Sequence, residues 1–342
     1  MRDRPMKAIG FTQPLPIDDP NSLTLFDLPK PAPGPRDLLV GVRAVSVNPV
    51  DVKVRASATP PAGEPRILGF DAAGVVEAVG SDVTLFRPGD EVFYAGSIGR
   101  PGTNAQFHLV DERIVGAKPS SLSFTQAAAL PLTAITAWEL LFDRLRVPYG
   151  TKTQNGTLLV INGAGGVGSI LTQIARRLTG LTVVATASRP ETIDWCRRMG
   201  AHHVIDHNRP LDEALGEIGI PEVEYVAALT ATDKHLPAIL KAIAPQGHVA
   251  VIDDPKVFDI VPFKRKSVSV SWELMFTRPL FETSDMIEQH RLLSEVSALV
   301  DAGLLVTTLT HEAGTISAEN LRKAHALLES GRSIGKAVLT GW

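Results

Sequence analysis

The chain of 342 residues holds a single cysteine, Cys196. One thiol excludes an intrachain disulfide and a cysteine-rich structural zinc site. It agrees with a cytosolic setting. No apolar run approaches the ~20 residues that a membrane span needs. An excess of one charge is missing too: 34 Lys and Arg stand against 37 Asp and Glu, a net charge of −3. Neither nucleic acid nor anionic lipid is favoured by that balance. The start, Met1 to Pro5, is polar with no apolar stretch behind it, which speaks against a secretory signal. A soluble, cytoplasmic protein is the expectation, and at roughly 150 residues per domain it has two domains.

Proline is plentiful but uneven: 12 of 25 lie within the first 65 residues. Proline removes a donor and blocks helix interiors, so this region is expected to be poor in helix. Short apolar runs bounded by Gly and Pro (residues 38–47, 74–79, 91–94 and 106–110) read as strands. An irregular β domain over about residues 1–127 follows. Residues 124–145 carry helical spacing interrupted at Pro131. From residue 157 strands and helices alternate, with strands at 157–162, 181–187, 204–205, 223–229, 248–253 and 267–272. Such alternation implies parallel βαβ units with helices on both sheet faces. An amphipathic stretch at 285–299, a strand at 306–309, a helix at 318–328 and a strand at 336–339 do not continue the alternation and are expected to return to the first domain.

The strongest motif is Gly163-Ala164-Gly165-Gly166-Val167-Gly168, directly after a buried strand and opening a helix. The first glycine permits the tight turn, the second lets a pyrophosphate approach the backbone, and the third lets helix pack on strand. Phosphates then meet free N–H groups at the helix start. About 20 residues on, an NAD site would place Asp or Glu at the end of the second strand. Here Ser188 and Arg189 stand there, a hydroxyl and a planar fork suited to a 2′-phosphate. Glu191 has capping-box spacing from Ser188 and is expected to turn toward the helix start. NADPH is therefore expected over NADH.

Several ordered stretches resemble the medium-chain dehydrogenase/reductase superfamily: Pro33 to Val40, Val47 to Asp51, Leu68 to Val76, Arg87 to Val92, Ala128 to Pro131 with Thr136 to Trp138, the glycine loop, and Gly335 to Leu339. Within it the chain is most similar to the quinone oxidoreductase branch and its bacterial zinc-type alcohol dehydrogenase-like members. The resemblance implies an α/β fold in which a Rossmann doubly wound parallel sheet domain (128–276) is inserted into a GroES-like, partly closed β-barrel domain (1–127 plus 277–342), with the active site in the cleft. Where zinc relatives place a cysteine, a histidine and a second cysteine, this chain has Asn48, Phe70 and the Pro131–Leu132 region. The four-cysteine lobe is missing between Gly96 and Gln106. No bound metal is expected.

The resemblance also implies roles. Asn48 is the cleft residue near nicotinamide and substrate, and Thr136 contacts the carboxamide. Residues 163–168 hold the pyrophosphate. Ser188, Arg189 and His207 surround the 2′-phosphate, Leu229 and Thr230 flank the nicotinamide ribose, and Lys336 lies near the cofactor. Lys53, in the Asn48 motif, is a candidate hydrogen-bond donor to substrate, and Asp51 an orienting acid. Tyr94 could face the cleft or be packed. Cys196, mid-helix with no base beside it, reads as inert.

A chain without a Lewis acid is suited to acceptors that spread their own charge. The expected activity is hydride transfer from NADPH to a quinone or an α,β-unsaturated carbonyl. The alternatives are a zinc-type alcohol dehydrogenase and an NADPH-binding regulatory protein with little turnover. The resemblance further implies a homodimer formed by extending the central sheet through its last strand, here the alternating Ser267 to Trp272.

Overall fold

The computed structural model describes residues 5–150 and 156–342. The polar start at residues 1–4 lies outside them. The chain divides into two compact units, residues 1–132 with 276–342, and residues 133–275. The boundaries read from sequence were 127/128 and 276/277. The helix Phe124–Ala128 falls on the first unit's side because it packs on that unit's strands.

The first unit runs β1 (Met6–Phe11), β2 (Thr24–Leu28), β3 (Asp37–Ser46), α1 (Pro49–Ser57), β4 (Arg66–Ile67), β5 (Ala72–Val79), β6 (Glu91–Tyr94), β7 (Phe107–Asp111), β8 (Val115–Ala117) and α2 (Phe124–Ala128). The chain leaves it through the start of α3 (Pro131–Trp138), whose helix continues with π spacing to Arg144. β3 is buried along nearly its whole length and pairs antiparallel with β5, β7 and, later, the C-terminal strand. β1 pairs with β2 and β4 in a separate small sheet. The expectation of a helix-poor region missed α1. Its proline, Pro49, stands at the first helical position, where no N–H is needed and the fixed φ suits a helix. β1 and β2 were also missed.

The second unit holds β9 (Thr157–Ile161), α4 (Gly166–Leu178), β10 (Thr182–Thr186), α5 (Pro190–Arg198), β11 (His203–Ile205), α6 (Leu211–Glu217), β12 (Val223–Ala228), α7 (Thr232–Ala242), β13 (Ile243–Val251) and β14 (Ser269–Trp272). Its six strands are all parallel, in the order β11-β10-β9-β12-β13-β14. That is the doubly wound dinucleotide order with the switch beside β9. Residues Leu159, Ile161, Val226, Ala228, Val249 and Val251 form one buried face, covered by Leu211, Leu215 and Ile239 of α6 and α7. Burial on both faces explains why these strands read as continuous apolar runs.

The chain returns to the first unit with α8 (Thr277–Phe281), α9 (Glu288–Asp301), β15 (Leu309–Glu312), α10 (Ala318–Glu329) and β16 (Lys336–Thr340). β16 pairs with β3, Val338 opposite Ser46, so the tail completes the first unit's sheet. β15 lies three residues beyond the expected strand at 306–309. Thr307 and Thr308 instead donate their hydroxyls to Gln126 O (2.7 Å) and Ala129 O (3.1 Å), which pulls that segment onto α2.

Candidate active site

In the first unit, five chain segments bring their polar groups into one buried cluster. Asn48 caps the start of α1, Ser46 ends β3, Asp71 precedes β5, Leu132 opens α3 and Lys336 begins β16. Asp71 Oδ2 accepts from Ser46 Oγ at 2.7 Å, Asn48 Nδ2 at 2.8 Å and Lys336 Nζ at 3.0 Å. Its other oxygen accepts from the Leu132 N–H at 2.7 Å. Lys336 Nζ also donates to Val47 O at 2.9 Å and, closely, to Asn48 Oδ1. The Lys336 and Asp71 side chains are only 3% and 0% exposed, so this ion pair lives in a low dielectric. The ammonium spends its three donors here, which leaves none for a phosphate. Lys336, expected near the cofactor, is held in this cluster.

Asp51 sits beneath the cluster. Its oxygens accept from the Asn48 N–H (2.9 Å) and the Gly69 N–H (2.8 Å), so it orients the start of α1. Burial pushes its carboxyl up to about 7, against the lowering effect of those hydrogen bonds and of Lys336. Lys53 is on the exposed side of α1, outside the cluster. Phe70 packs edge-on against Phe276, centroids 5.3 Å apart. Tyr94 is a packed residue: it is buried and stacked on His108 at 5.5 Å. Pro101 O can only accept, so His108 Nε2 carries the proton at 2.9 Å, and the Tyr94 hydroxyl donates to Nδ1 at 3.2 Å. Burial pulls His108 down to about 4, which agrees with this neutral tautomer.

These residues do not fit the zinc that such folds carry. The cluster offers oxygens alone where zinc prefers sulfur and imidazole, and an ammonium already stands among them. Among the described residues no group of three or more His, Cys, Asp and Glu converges as a metal site.

In the second unit, the ends of the parallel strands fit a dinucleotide. The glycine loop follows β9, and Asn162 turns the chain with φ 70°, a left-handed conformation Asn tolerates. A Cβ on Gly168 would come within 2.2 Å of Asn162 O, and one on Gly163 within 2.6 Å of Ala185 Cβ and 3.0 Å of Cys196 Sγ. The loop is therefore pinned from below. Ala164 and Val167 complete its backbone, and Gly165 at the cap of α4 supplies no side-chain cap. The first N–H groups of a 13-residue helix thus stay available for an anion. Cys196 is inert by burial, which pushes its thiol up to about 12.

Ser188 and Arg189 follow β10, and His207 follows β11. The Ala187 N–H donates to Ile205 O at 3.0 Å, so both turns lie at one end of the sheet. His207 Nδ1 lies 3.4 Å from Thr186 Oγ1. Burial lowers the His207 pKa, and Lys234 and Arg189 oppose its charging further. Lys234, on the first turn of α7, was not singled out from the sequence. The capping expectation for Ser188 and Glu191 is corrected. Arg189 is the cap residue, Thr192 exchanges hydrogen bonds with its backbone (3.1 and 2.8 Å), and Glu191 pairs with Arg189 Nε at 3.3 Å. Leu229 and Thr230 follow β12, where Asp253 accepts from the Thr232 N–H (2.9 Å) and hydroxyl and so fixes the start of α7. Thr136 is buried on α3 in this same unit. Asn48 and Lys53 belong to the other.

A further buried pair was invisible in the sequence. Glu273, just after β14, is held by Arg144 Nε at 2.7 Å and hydrogen-bonds Glu139. Two carboxyls can bond only through a proton. Burial and the Glu139 charge push Glu273 up to about 9.

Two family profiles match the chain, "Alcohol dehydrogenase GroES-like domain" over residues 34–120 and "Zinc-binding dehydrogenase" over 199–339. A zinc-type alcohol dehydrogenase-like protein of Staphylococcus aureus (strain MSSA476) is 44% identical over 339 residues, 98% of this chain and 99% of the relative. A solved structure from Rhizobium etli CFN 42, provisionally named a zinc-dependent alcohol dehydrogenase, is 59% identical with a TM-score of 0.95 and 99% of each chain covered. The Escherichia coli quinone oxidoreductase complexed with NADPH shares the fold, with a TM-score of 0.80 at 24% identity over 98% of this chain and 99% of its own. The chain belongs to the medium-chain dehydrogenase/reductase superfamily, among the bacterial zinc-type alcohol dehydrogenase-like proteins.

Proposed function

We propose that this oxidoreductase uses NADPH to reduce a quinone or an α,β-unsaturated carbonyl without a catalytic metal. The observation that carries the reading is the Asn48–Asp71–Lys336 cluster, whose donors are oxygens and whose centre is an ammonium. A simple ketone needs strong stabilisation of an alkoxide on one oxygen. In a conjugated acceptor, hydride addition at the ring or β-carbon spreads the charge into a phenolate or enolate. Solvent can then deliver the proton to oxygen or carbon.

Bound NADPH would supply the hydride. The α4 N–H groups and the backbone of residues 163–168 would hold its pyrophosphate. Ser188, Arg189 and His207, with Lys234 beside His207, would receive the 2′-phosphate, and the Arg189–Glu191 pair would open to free the guanidinium. Thr136, Leu229 and Thr230 would border the nicotinamide end. Asn48 is fully buried with both ends of its amide engaged, so its service is to shape the first unit's wall, with Asp51 orienting it. Lys53 remains the candidate donor to substrate.

We also infer a cytoplasmic homodimer. No helix among the described residues is long and apolar enough to cross a membrane. β14 ends the six-stranded order, and near it Trp272, Leu274, Ile260 and Val261 are more than half exposed. Light scattering checks this: a dimeric mass supports it and a monomeric mass removes it. For activity, the test is a steady-state screen of NADPH and NADH against quinones and enals, and of NADP+ and NAD+ against simple alcohols. Turnover of conjugated acceptors with NADPH is expected. Turnover of simple alcohols alone would replace the reading by the alcohol dehydrogenase that the relatives' names suggest.

A further inference from the structure

We propose that Lys336 is the first unit's own resident cation: its ammonium fills an oxygen cage that would otherwise admit a divalent metal ion, and it thereby locks Asn48 and Asp71 in register. Three oxygens converge on Nζ: a backbone carbonyl (Val47, 2.9 Å), an amide carbonyl (Asn48) and a carboxylate (Asp71, 3.0 Å). These are the donor types that bind hard divalent cations. An ammonium has three donors and no more, and the cage supplies three acceptors.

The backbone delivers this charge. The Lys336 N–H donates to Thr308 O at 2.9 Å, and β16 is registered on β3 two residues further on, with Val338 opposite Ser46. The stem therefore enters beside the end of β3, where Ser46, Val47 and Asn48 follow one another. Lys336 on Oδ1 and Asp71 on Nδ2 also fix which way the Asn48 amide points. A metal could enter only by expelling a buried ammonium from its carboxylate, which is unfavourable. The proposal deepens the metal-free reading above. Because its test measures metal binding without turnover, the two can fail separately.

The experiment is a Mn²⁺ titration of purified full-length chain, read by the electron paramagnetic resonance of free Mn²⁺ and by melting temperature. Wild type is expected to show no stoichiometric uptake. Lys336→Ala leaves the Asp71 charge uncompensated among the cage oxygens and should bind a single Mn²⁺ on the order of 100-fold more tightly than wild type. Lys336→Met, which fills the space with an uncharged stem, should bind none. If Lys336→Ala does not fold without metal, Mn²⁺ should restore its circular dichroism and melting transition. Stoichiometric Mn²⁺ or Zn²⁺ on wild type overturns the proposal. So does a Lys336→Ala variant that neither binds Mn²⁺ better than wild type nor is restored by it, and so does equal binding by Lys336→Met.

Discussion

The two units prepare their polar groups in opposite ways. In the second, the glycine loop keeps backbone N–H groups unspent at the start of α4 and strips away the side chains that would fill the space above it. In the first, Asp71, Asn48 and Lys336 are charged or strongly polar, and nearly every bond they can make is made within the cluster. One surface is built to receive an anion. The other is built to need nothing. The difference separates recognition from architecture: open valences in shallow backbone mark where a ligand goes, and a saturated buried ion pair holds segments together.

The sharpest break of this contrast is Asp71→Ala. It strands the Lys336 ammonium in a buried site, and about 3–5 kcal/mol of stability should be lost in urea unfolding. Next is Gly168→Ala in the second unit. Its Cβ would meet Asn162 O at 2.2 Å, so the loop must move. NADPH affinity, by fluorescence titration, should fall by about 10- to 100-fold, the equivalent of 1–3 kcal/mol of overpacking, with the first unit's stability untouched. A smaller effect is expected for Arg189→Glu. It should lower the NADPH/NADH preference in kcat/KM by roughly tenfold or more, through loss of a charge-assisted bond to the 2′-phosphate. An unchanged preference would remove Arg189 from that role.

The smallest effect concerns pH. Glu273 is raised in the fold to about 9 by burial and by Glu139, with Arg144 facing it as the opposing charge. A raised acid contributes its stability below its unfolded value and loses it as pH climbs through the folded one. Wild type should therefore weaken as pH rises from about 4.5 to about 9 and level off beyond it. Glu273→Gln mimics the protonated acid and should flatten that slope in chemical denaturation, with little change near pH 4.5 and a gain over wild type that grows toward pH 9. A slope equal to wild type's would show that the pair holds no extra proton.

Much of the second unit was legible because its signals are local. A buried strand, three spaced glycines and a helix announce one another within 22 residues, from Thr157 to Leu178. The first unit's site is assembled from residues 46, 48, 71, 132 and 336, and nothing local in the sequence says that Lys336 meets Asp71. Only the ordered resemblance brought the tail back to the β domain. It puts Lys336 near the cofactor, and strand register sends the ammonium into the cluster. α1 was lost because proline was counted as a helix breaker without regard to position, although Pro49 follows an Asn that caps it. The Ser188 cap failed for a related reason: Pro190 at the first turn shifts the cap to Arg189, and Thr192 then takes the reciprocal role. The Glu139–Glu273 pair joins positions 134 residues apart and leaves no periodic trace.

The central claim is that hydride transfer here proceeds on a metal-free frame whose cation is a lysine. Its most direct measurement is NADPH oxidation with a quinone acceptor before and after exhaustive dialysis against a zinc chelator, with zinc determined on the same samples. The account predicts an unchanged rate at substoichiometric zinc. Activity that falls with the chelator and returns with added Zn²⁺ would contradict it.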